Sequence, residues 1–261
     1  MNRITGIFQN NKAFIPFITA GDPSLEITRE LVLCMAGAGA DLIELGIPFS
    51  DPVAEGPVIQ EADYRALAGG ATTDKIFAMV EGLRKECDIP IAFMTYINPI
   101  YTYGTERFME NCRKAQVDAV IVPDLPYEER EEILPFCEQY GVTLISMIAP
   151  TSKARIQKIA REARGFLYCV SSMGVTGVRS EIGNQAKSMI AQVKEVQDIP
   201  CAIGFGISTP EQAKAMAGIG DGVIVGSAIV RIIGEHGEDC VPLVEEYVRK
   251  MKGACLSWKS I

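Results

Sequence analysis

Histidine is nearly absent: His236 is the single one in 261 residues. That excludes a histidine-rich metal site, and a Ser-His-Asp triad would rest on one residue near the C-terminus. Acid–base work therefore falls to carboxylates or tyrosines. Basic charge is also short, with 25 Lys and Arg against 33 Asp and Glu, a net charge of −8. Nucleic acid and anionic membranes both require a basic surface, so neither is an expected partner. An anionic small molecule must be held by local groups, because the overall field will not attract it. No apolar stretch approaches the length of a membrane span. Met1 to Phe8 carry neither the basic start nor the apolar run of a secretory signal. The eight cysteines (Cys34, Cys87, Cys112, Cys137, Cys169, Cys201, Cys240 and Cys255) include no C-x-x-C pair. They read as reduced thiols of a cytoplasmic protein, several of them filling the core.

What is present is a short apolar run followed by a longer amphipathic one, many times over. The strand candidates are Ala13–Thr19, Asp41–Leu45, Ile91–Thr95, Ala119–Val122, Thr143–Ile148, Phe166–Val170, Cys201–Phe205 and Gly222–Val225. They are continuous and rich in Ile, Val and Phe, as parallel strands buried on both faces should be. Helical patterns lie between them: Leu25–Ala38, Thr72–Cys87, Thr105–Lys114, Glu129–Tyr140, Ala154–Ala163, Asn184–Gln197, Pro210–Ala217 and Val241–Lys252. Ser24, Thr72, Thr105, Ser152 and Thr209 are candidate N-caps. An echo recurs in which a helix ends and an aspartate leads into a strand, at Asp41, Asp118 and Asp221. Any βα repeat reuses such turn chemistry, but the echo favours repeated units over two unlike domains. Eight alternations predict an α/β fold, a (β/α)8 TIM barrel forming one domain over residues 1–261, since such barrels take about 250 residues. The competing open, doubly wound sheet would carry a glycine-rich fingerprint after its first strand. Ala20-Gly-Asp-Pro23 is not that fingerprint.

Barrel enzymes often bind phosphate with the loops after strands seven and eight and the N-terminus of an extra helix. Gly204-Phe205-Gly206-Ile207-Ser208 and Gly226-Ser227-Ala228-Ile229 occupy those places, and Gly174-Val-Thr176-Gly177 follows strand six. Glycines let backbone N–H groups approach an anion without any basic side chain. The plainer alternative is that they only permit tight turns. Three such loops on adjacent strands favour phosphate without naming its owner, and flavin mononucleotide is a competitor.

Leu42-Ile-Glu44-Leu-Gly46 closes the second strand. Alternation gives Glu44 the parity of Leu42, facing the barrel interior near the catalytic rim. A carboxylate among apolar neighbours loses hydration, which raises its pKa and lets it carry a proton near neutral pH. A structural glutamate satisfied by backbone donors is the alternative. The next segment, Gly46 to Pro57, has prolines and glycines that break regular structure and carries Asp51 and Glu55. Such a loop can fold over a substrate and exclude water. Asp51, before a proline, reads first as a turn residue.

The run Leu42-Ile-Glu-Leu-Gly-Ile-Pro-Phe-Ser-Asp-Pro-Val-Ala-Glu-Gly-Pro57 closely resembles the signature of the tryptophan synthase alpha subunit family. Matching segments continue at Phe14-Ile-Pro-Phe17, Thr19-Ala-Gly-Asp-Pro23, Tyr96 with Asn98-Pro99, Pro123-Asp-Leu-Pro126, Gly174-Val-Thr-Gly177, Gly204-Phe-Gly-Ile-Ser208 and Gly226-Ser-Ala-Ile-Val230. The resemblance implies a carbon–carbon lyase that cleaves indole-3-glycerol phosphate into indole and D-glyceraldehyde 3-phosphate. It implies no metal or organic cofactor in this subunit. Glu44 matches the family's acid/base, and Glu55 stands where the family has an aspartate that holds the indole N–H. By the same match Phe17, Tyr168, Thr176 and Phe205 line the indole and glycerol pocket. The backbones of Gly177, Gly206, Gly226 and Ser227 meet the phosphate. The family pairs with a beta subunit that uses pyridoxal phosphate, as an alpha2beta2 heterotetramer, and Asp51, Pro52, Val53, Asn98, Pro99 and Tyr101 match regions facing that partner. The extra methylene of Glu55 keeps a second reading open, a chiefly regulatory activator of the beta subunit, because a displacement of about 1 Å can cost ~10²-fold in rate.

Overall fold

The computed structural model describes residues 3–9, 11–170, 179–204 and 206–259. Its strands are β1 (Ala13–Thr19), β2 (Ile43–Gly46), β3 (Ile91–Met94), β4 (Ala119–Ile121), β5 (Thr143–Leu144), β6 (Ser146–Ile148), β7 (Leu167–Val170), β8 (Cys201–Gly204) and β9 (Gly222–Val225). All pairings are parallel, in the order β5-β4-β3-β2-β1-β9-β8-β7-β6. The two ends of that order are consecutive pieces of one segment, interrupted at Ile145. β5 bonds β4 and β6 bonds β7, while the Ile145 N–H still donates to the Val120 carbonyl at 2.9 Å. The sheet therefore closes on itself, and the nine pieces are the eight expected barrel strands.

Strand parity sorts the side chains as a barrel requires. Ala13, Ile15, Leu42, Ala92, Ala119, Ile121, Ile145, Phe166, Ala202 and Ile224 fill the interior, joined by Ile4 from the N-terminal helix Arg3–Gly6. Their neighbours Phe14, Ile18, Ile43, Leu45 and Val120 face the surrounding helices. Burial on both faces is why the strands read as unbroken apolar runs.

The recurring aspartates have a common geometry. Asp41 accepts the Phe14 N–H at 2.7 Å, Asp118 the Ile91 N–H at 2.9 Å and Asp221 the Cys201 N–H at 3.0 Å. Each aspartate also donates its own N–H to the carbonyl of that same residue. Every one thus ties the turn before its strand to the start of the neighbouring strand, fixing the register with a two-way bond.

Ser24, Thr72, Ser152 and Thr209 cap helices as expected, Thr209 in a reciprocal box with Gln212. Thr105 does not: Gly104, at φ +93, is the cap and Thr105 the first helical residue. The expected helix over Glu129–Tyr140 divides into a 3-10 turn, Tyr127–Glu132, and an α-helix, Leu134–Tyr140, at whose start Pro135 has no N–H to continue the earlier ladder. The helix expected over Asn184–Gln197 runs instead over Arg179–Lys194. Besides the short N-terminal helix Arg3–Gly6, three helices were not anticipated: Pro57–Ala68, Ile97–Tyr103 and Ser227–His236. Ile97–Tyr103 and Ser227–His236 begin within three residues of a strand end, so their apolar positions merge in sequence with the strand's own run, whereas Pro57–Ala68 opens at a proline that reads as part of the loop before it. All eight cysteines are free thiols, six of them buried. Among the described residues no helix is long and apolar enough to cross a membrane.

Candidate active site

Glu44 lies in β2 with its Cα in register with Phe17 of β1 and Ala92 of β3. It is completely buried, and neither carboxylate oxygen has a hydrogen-bond partner among the described residues. No donor among the described residues satisfies it as a structural glutamate would be satisfied. Burial, reinforced by the charge of Glu55, pushes its pKa from 4.5 up to about 8. A carboxylic acid that keeps its proton at neutrality is the result.

Glu55 is half-buried in the loop between β2 and helix Pro57–Ala68. Its pKa rises to about 7, chiefly through burial, with backbone N–H groups of Glu55 and Ala54 opposing and the charge of Asp124 adding. The loop is fastened beside it: the Tyr96 hydroxyl accepts the Ala54 N–H at 2.8 Å, and Gln60 Nε2 donates to the Glu55 carbonyl at 2.9 Å. Tyr168, on β7, is held well above the usual phenol range by burial and then by the charges of Glu44 and Glu55. Residues from β2, the loop that follows it and β7 thus converge at one end of the barrel.

Phe17 points into the same mouth, buried against Ala62 and Val230. A Cβ at Gly46 would stand 2.7 Å from its ring, and one at Gly226 would stand 3.3 Å away. Similarly, a Cβ at Gly204 would meet the Tyr168 ring at 2.8 Å. These glycines make room for aromatic rings, a role in which the turn explanation plays no part. Gly226 precedes helix Ser227–His236, whose first N–H groups have no intrahelical partner. Gly206 adopts φ +52, with open space where a side chain would be. The Ser208 and Thr209 N–H groups are already taken by Gln212 Oε1, at 2.8 and 3.1 Å. Thr176, Gly177 and Phe205 lie outside the described residues.

Asp51, Val53, Asn98 and Tyr101 are exposed at this rim, and Pro52 and Pro99 are partly so. Val53 is 80 % exposed and Tyr101 43 %, the first and fourth of the exposed large apolar side chains by exposure among the described residues. Asn98, Pro99 and Tyr101 belong to helix Ile97–Tyr103, where a loop was expected. Asp51 accepts the Ser50 hydroxyl at 2.5 Å, in keeping with a turn residue.

Sequence reasoning missed Asp63. It is buried on helix Pro57–Ala68 beside Ala62 and Ala66, and burial followed by the charge of Glu55 pushes its pKa to about 7. The signal was a carboxylate on the apolar face of a helical pattern at Ile59, Ala62, Asp63 and Ala66. It went unseen because Pro57 was read as the end of a loop when it opens a helix. A cavity of about 190 Å³ between Tyr127, Arg130, Met147 and Arg155 is separate from this cluster; Glu44, Glu55, Asp63 and Tyr168 are not in its lining.

A closed parallel barrel with proton-carrying carboxylates at the strand C-termini has the arrangement of the (β/α)8-barrel enzymes, which work at that end. The family model described as tryptophan synthase alpha chain matches residues 6–255. The tryptophan synthase alpha chain of Lacticaseibacillus casei is 48 % identical over 261 residues, covering 100 % of this chain and 98 % of the relative. The crystal structure of the alpha chain from Legionella pneumophila superposes with a TM-score of 0.90 at 37 % identity, covering all of both chains. A structure of the tryptophan synthase a2b2 complex from Pyrococcus furiosus matches with a TM-score of 0.86 at 37 % identity, over 93 % of this chain and 98 % of that one. The chain belongs to the tryptophan synthase alpha chain family.

Proposed function

We propose that this protein cleaves indole-3-glycerol phosphate into indole and D-glyceraldehyde 3-phosphate, and delivers the indole to a beta subunit for tryptophan formation. Glu44 enters protonated and gives its proton to the ring carbon that bears the glycerol chain. The ring becomes an electron sink, and positive charge develops on its nitrogen. Glu55, as a carboxylate, accepts the N–H there and stabilises that charge. Glu44, now ionised, takes the proton of the hydroxyl on the carbon bonded to the ring. The carbon–carbon bond breaks, its electrons return to the ring as indole, and the hydroxyl carbon becomes the aldehyde. One proton has gone out and one has come back, so the enzyme is regenerated.

Phe17 and Tyr168, with Phe205 and Thr176, bound the indole and glycerol. The N–H groups of Gly206, Gly226 and Ser227, with Gly177, hold the phosphate in a protein too acidic to attract it by net charge. The chemistry uses no metal or organic cofactor of this subunit; pyridoxal phosphate belongs to the beta partner. The exposed residues Asp51, Val53, Asn98 and Tyr101, with Pro52 and Pro99, form the docking rim for that partner in a cytoplasmic alpha2beta2 assembly.

The observation that carries this reading is a fully buried glutamate at the catalytic rim, both of its oxygens unpartnered among the described residues. The regulatory alternative has no support over this reading from the family match, which runs over residues 6–255. The test is to measure indole and aldehyde release by the purified chain, alone and with a beta subunit. Release that is abolished in Glu44→Gln supports lyase activity. Activation of the partner equally by both proteins, without cleavage by either, would leave only regulation.

A further inference from the structure

Two helices begin side by side on the rim, and their first turns differ. Helix Pro210–Ala217 follows β8 and helix Ser227–His236 follows β9, and those strands are parallel neighbours. The start of Pro210–Ala217 is filled by its own side chains. Gln212 Oε1 accepts the Ser208 N–H at 2.8 Å, the Thr209 N–H at 3.1 Å and the Ser208 hydroxyl at 3.2 Å. Thr209 Oγ1 accepts the Gln212 N–H at 3.3 Å, and Pro210 has no N–H to offer. An acceptor already sits where an anion would. Helix Ser227–His236 has no side-chain cap among the described residues, so its first N–H groups are left for a ligand.

The loop that carries Gly206 is held from both sides. Ile207 is buried in the core between the strands and the helices. Ser208 gives its N–H and hydroxyl to Gln212, and its carbonyl accepts the Tyr247 hydroxyl at 3.0 Å. Tyr247 comes from helix Val241–Leu256, which packs against Pro210–Ala217. Side chains from two helices therefore fix one residue, two places beyond Gly206. Gly206 itself is exposed, with φ +52 and open space where a Cβ would be. A backbone fixed in advance loses little freedom when an anion docks, and affinity rises accordingly.

We propose that Gln212 and Tyr247 are positioning residues for the phosphate: Gln212 closes the helix start after β8 to anions, and the two together hold Gly206 toward the open helix start after β9. The inference rests on the reading that Gly206, Gly226 and Ser227 take the phosphate of the substrate. Both side chains act through the loop backbone.

The test is a titration of the nitrogen-15-labelled full chain with glycerol 3-phosphate, followed at the backbone amides by NMR, beside KM and kcat for indole release. It compares wild type, Tyr247→Phe and Gln212→Ala. In wild type the Gly226 and Ser227 amides are expected to move most. Tyr247→Phe deletes one bond and should weaken glycerol 3-phosphate about two- to tenfold, the range one hydrogen bond carries. Gln212→Ala should weaken it at least as much, and the freed Ser208 and Thr209 amides should then respond to the anion. Both variants should raise KM by a similar factor and lower kcat less. Unchanged affinity and KM in both folded variants, even with lowered melting temperatures, would make these side chains structural and overturn the proposal. So would Ser208 and Thr209 amides that move most in wild type. If wild type binds glycerol 3-phosphate at Gly226 and Ser227 yet releases no indole, the lyase reading fails and the clamp stands. If no amide of wild type responds, the phosphate reading fails and takes the clamp with it.

Discussion

The ring of Phe17 lies where a Cβ on Gly46 would be, 2.7 Å from that position at Cζ and 2.9 Å at Cε2. Gly226 borders the other side of the same ring at 3.3 Å. Neither glycine has a positive φ, so the absence of a side chain, and not backbone freedom, is what these positions supply. Gly46→Ala should push Phe17 into the mouth of the barrel, costing about 1–3 kcal/mol of stability and raising KM more than it lowers kcat. Denaturant unfolding and steady-state kinetics check this. Phe17→Leu should recover part of the loss, and a double-mutant cycle with no coupling would contradict the contact.

The buried charge of Glu44 sets a sign for stability against pH. Its folded pKa of about 8 exceeds the ordinary 4.5, so the folded state binds the extra proton between those values. The contribution is complete below about 4.5 and is lost as pH rises through about 8. Glu44→Gln, which cannot ionise, should therefore melt higher than wild type at pH 9 by at least about 2 °C, with the difference shrinking at pH 5. Thermal unfolding at the two pH values checks it. The more stable variant should be inactive, the usual exchange at a strained site.

Activity needs Glu55 ionised and Glu44 protonated. Glu55 loses its proton at about 7 and Glu44 at about 8. The dependence of kcat/KM on pH should be a narrow bell with its top between those values, falling below as Glu55 protonates and above as Glu44 ionises. Because the groups interact, the two limbs belong to the pair as a whole. A flat profile from pH 6 to 9 would contradict the assignment.

Glu55→Ala should lower kcat/KM by about 10²-fold or more, since it leaves developing charge on the ring nitrogen unopposed. Glu55→Asp keeps the charge and shortens the arm, so its rate should stay within about tenfold of wild type. Both variants matching wild type would remove Glu55 from the reaction.

The fold was legible in the sequence because burial on both faces writes each barrel strand as a continuous apolar run, and the aspartate turns repeat. Glu44 was legible too, since strand alternation fixes its direction from Leu42 alone. Asp63 was not: its burial depends on a helix that begins at a proline inside what reads as a loop. The role of Gly46 and Gly204 was equally hidden, because it is set by Phe17 and Tyr168 from other strands. Local pattern reveals which way a residue points; only the closed barrel reveals what it meets.

The most direct measurement is the ionisation of Glu44 itself, followed by infrared difference spectroscopy of the protonated carboxyl band in wild type and Glu44→Gln. A band present at neutral pH, absent from Glu44→Gln and lost with a midpoint near 8, is the predicted result. Loss of that band near 4.5, the ordinary value, would show a hydrated carboxylate with no proton to give.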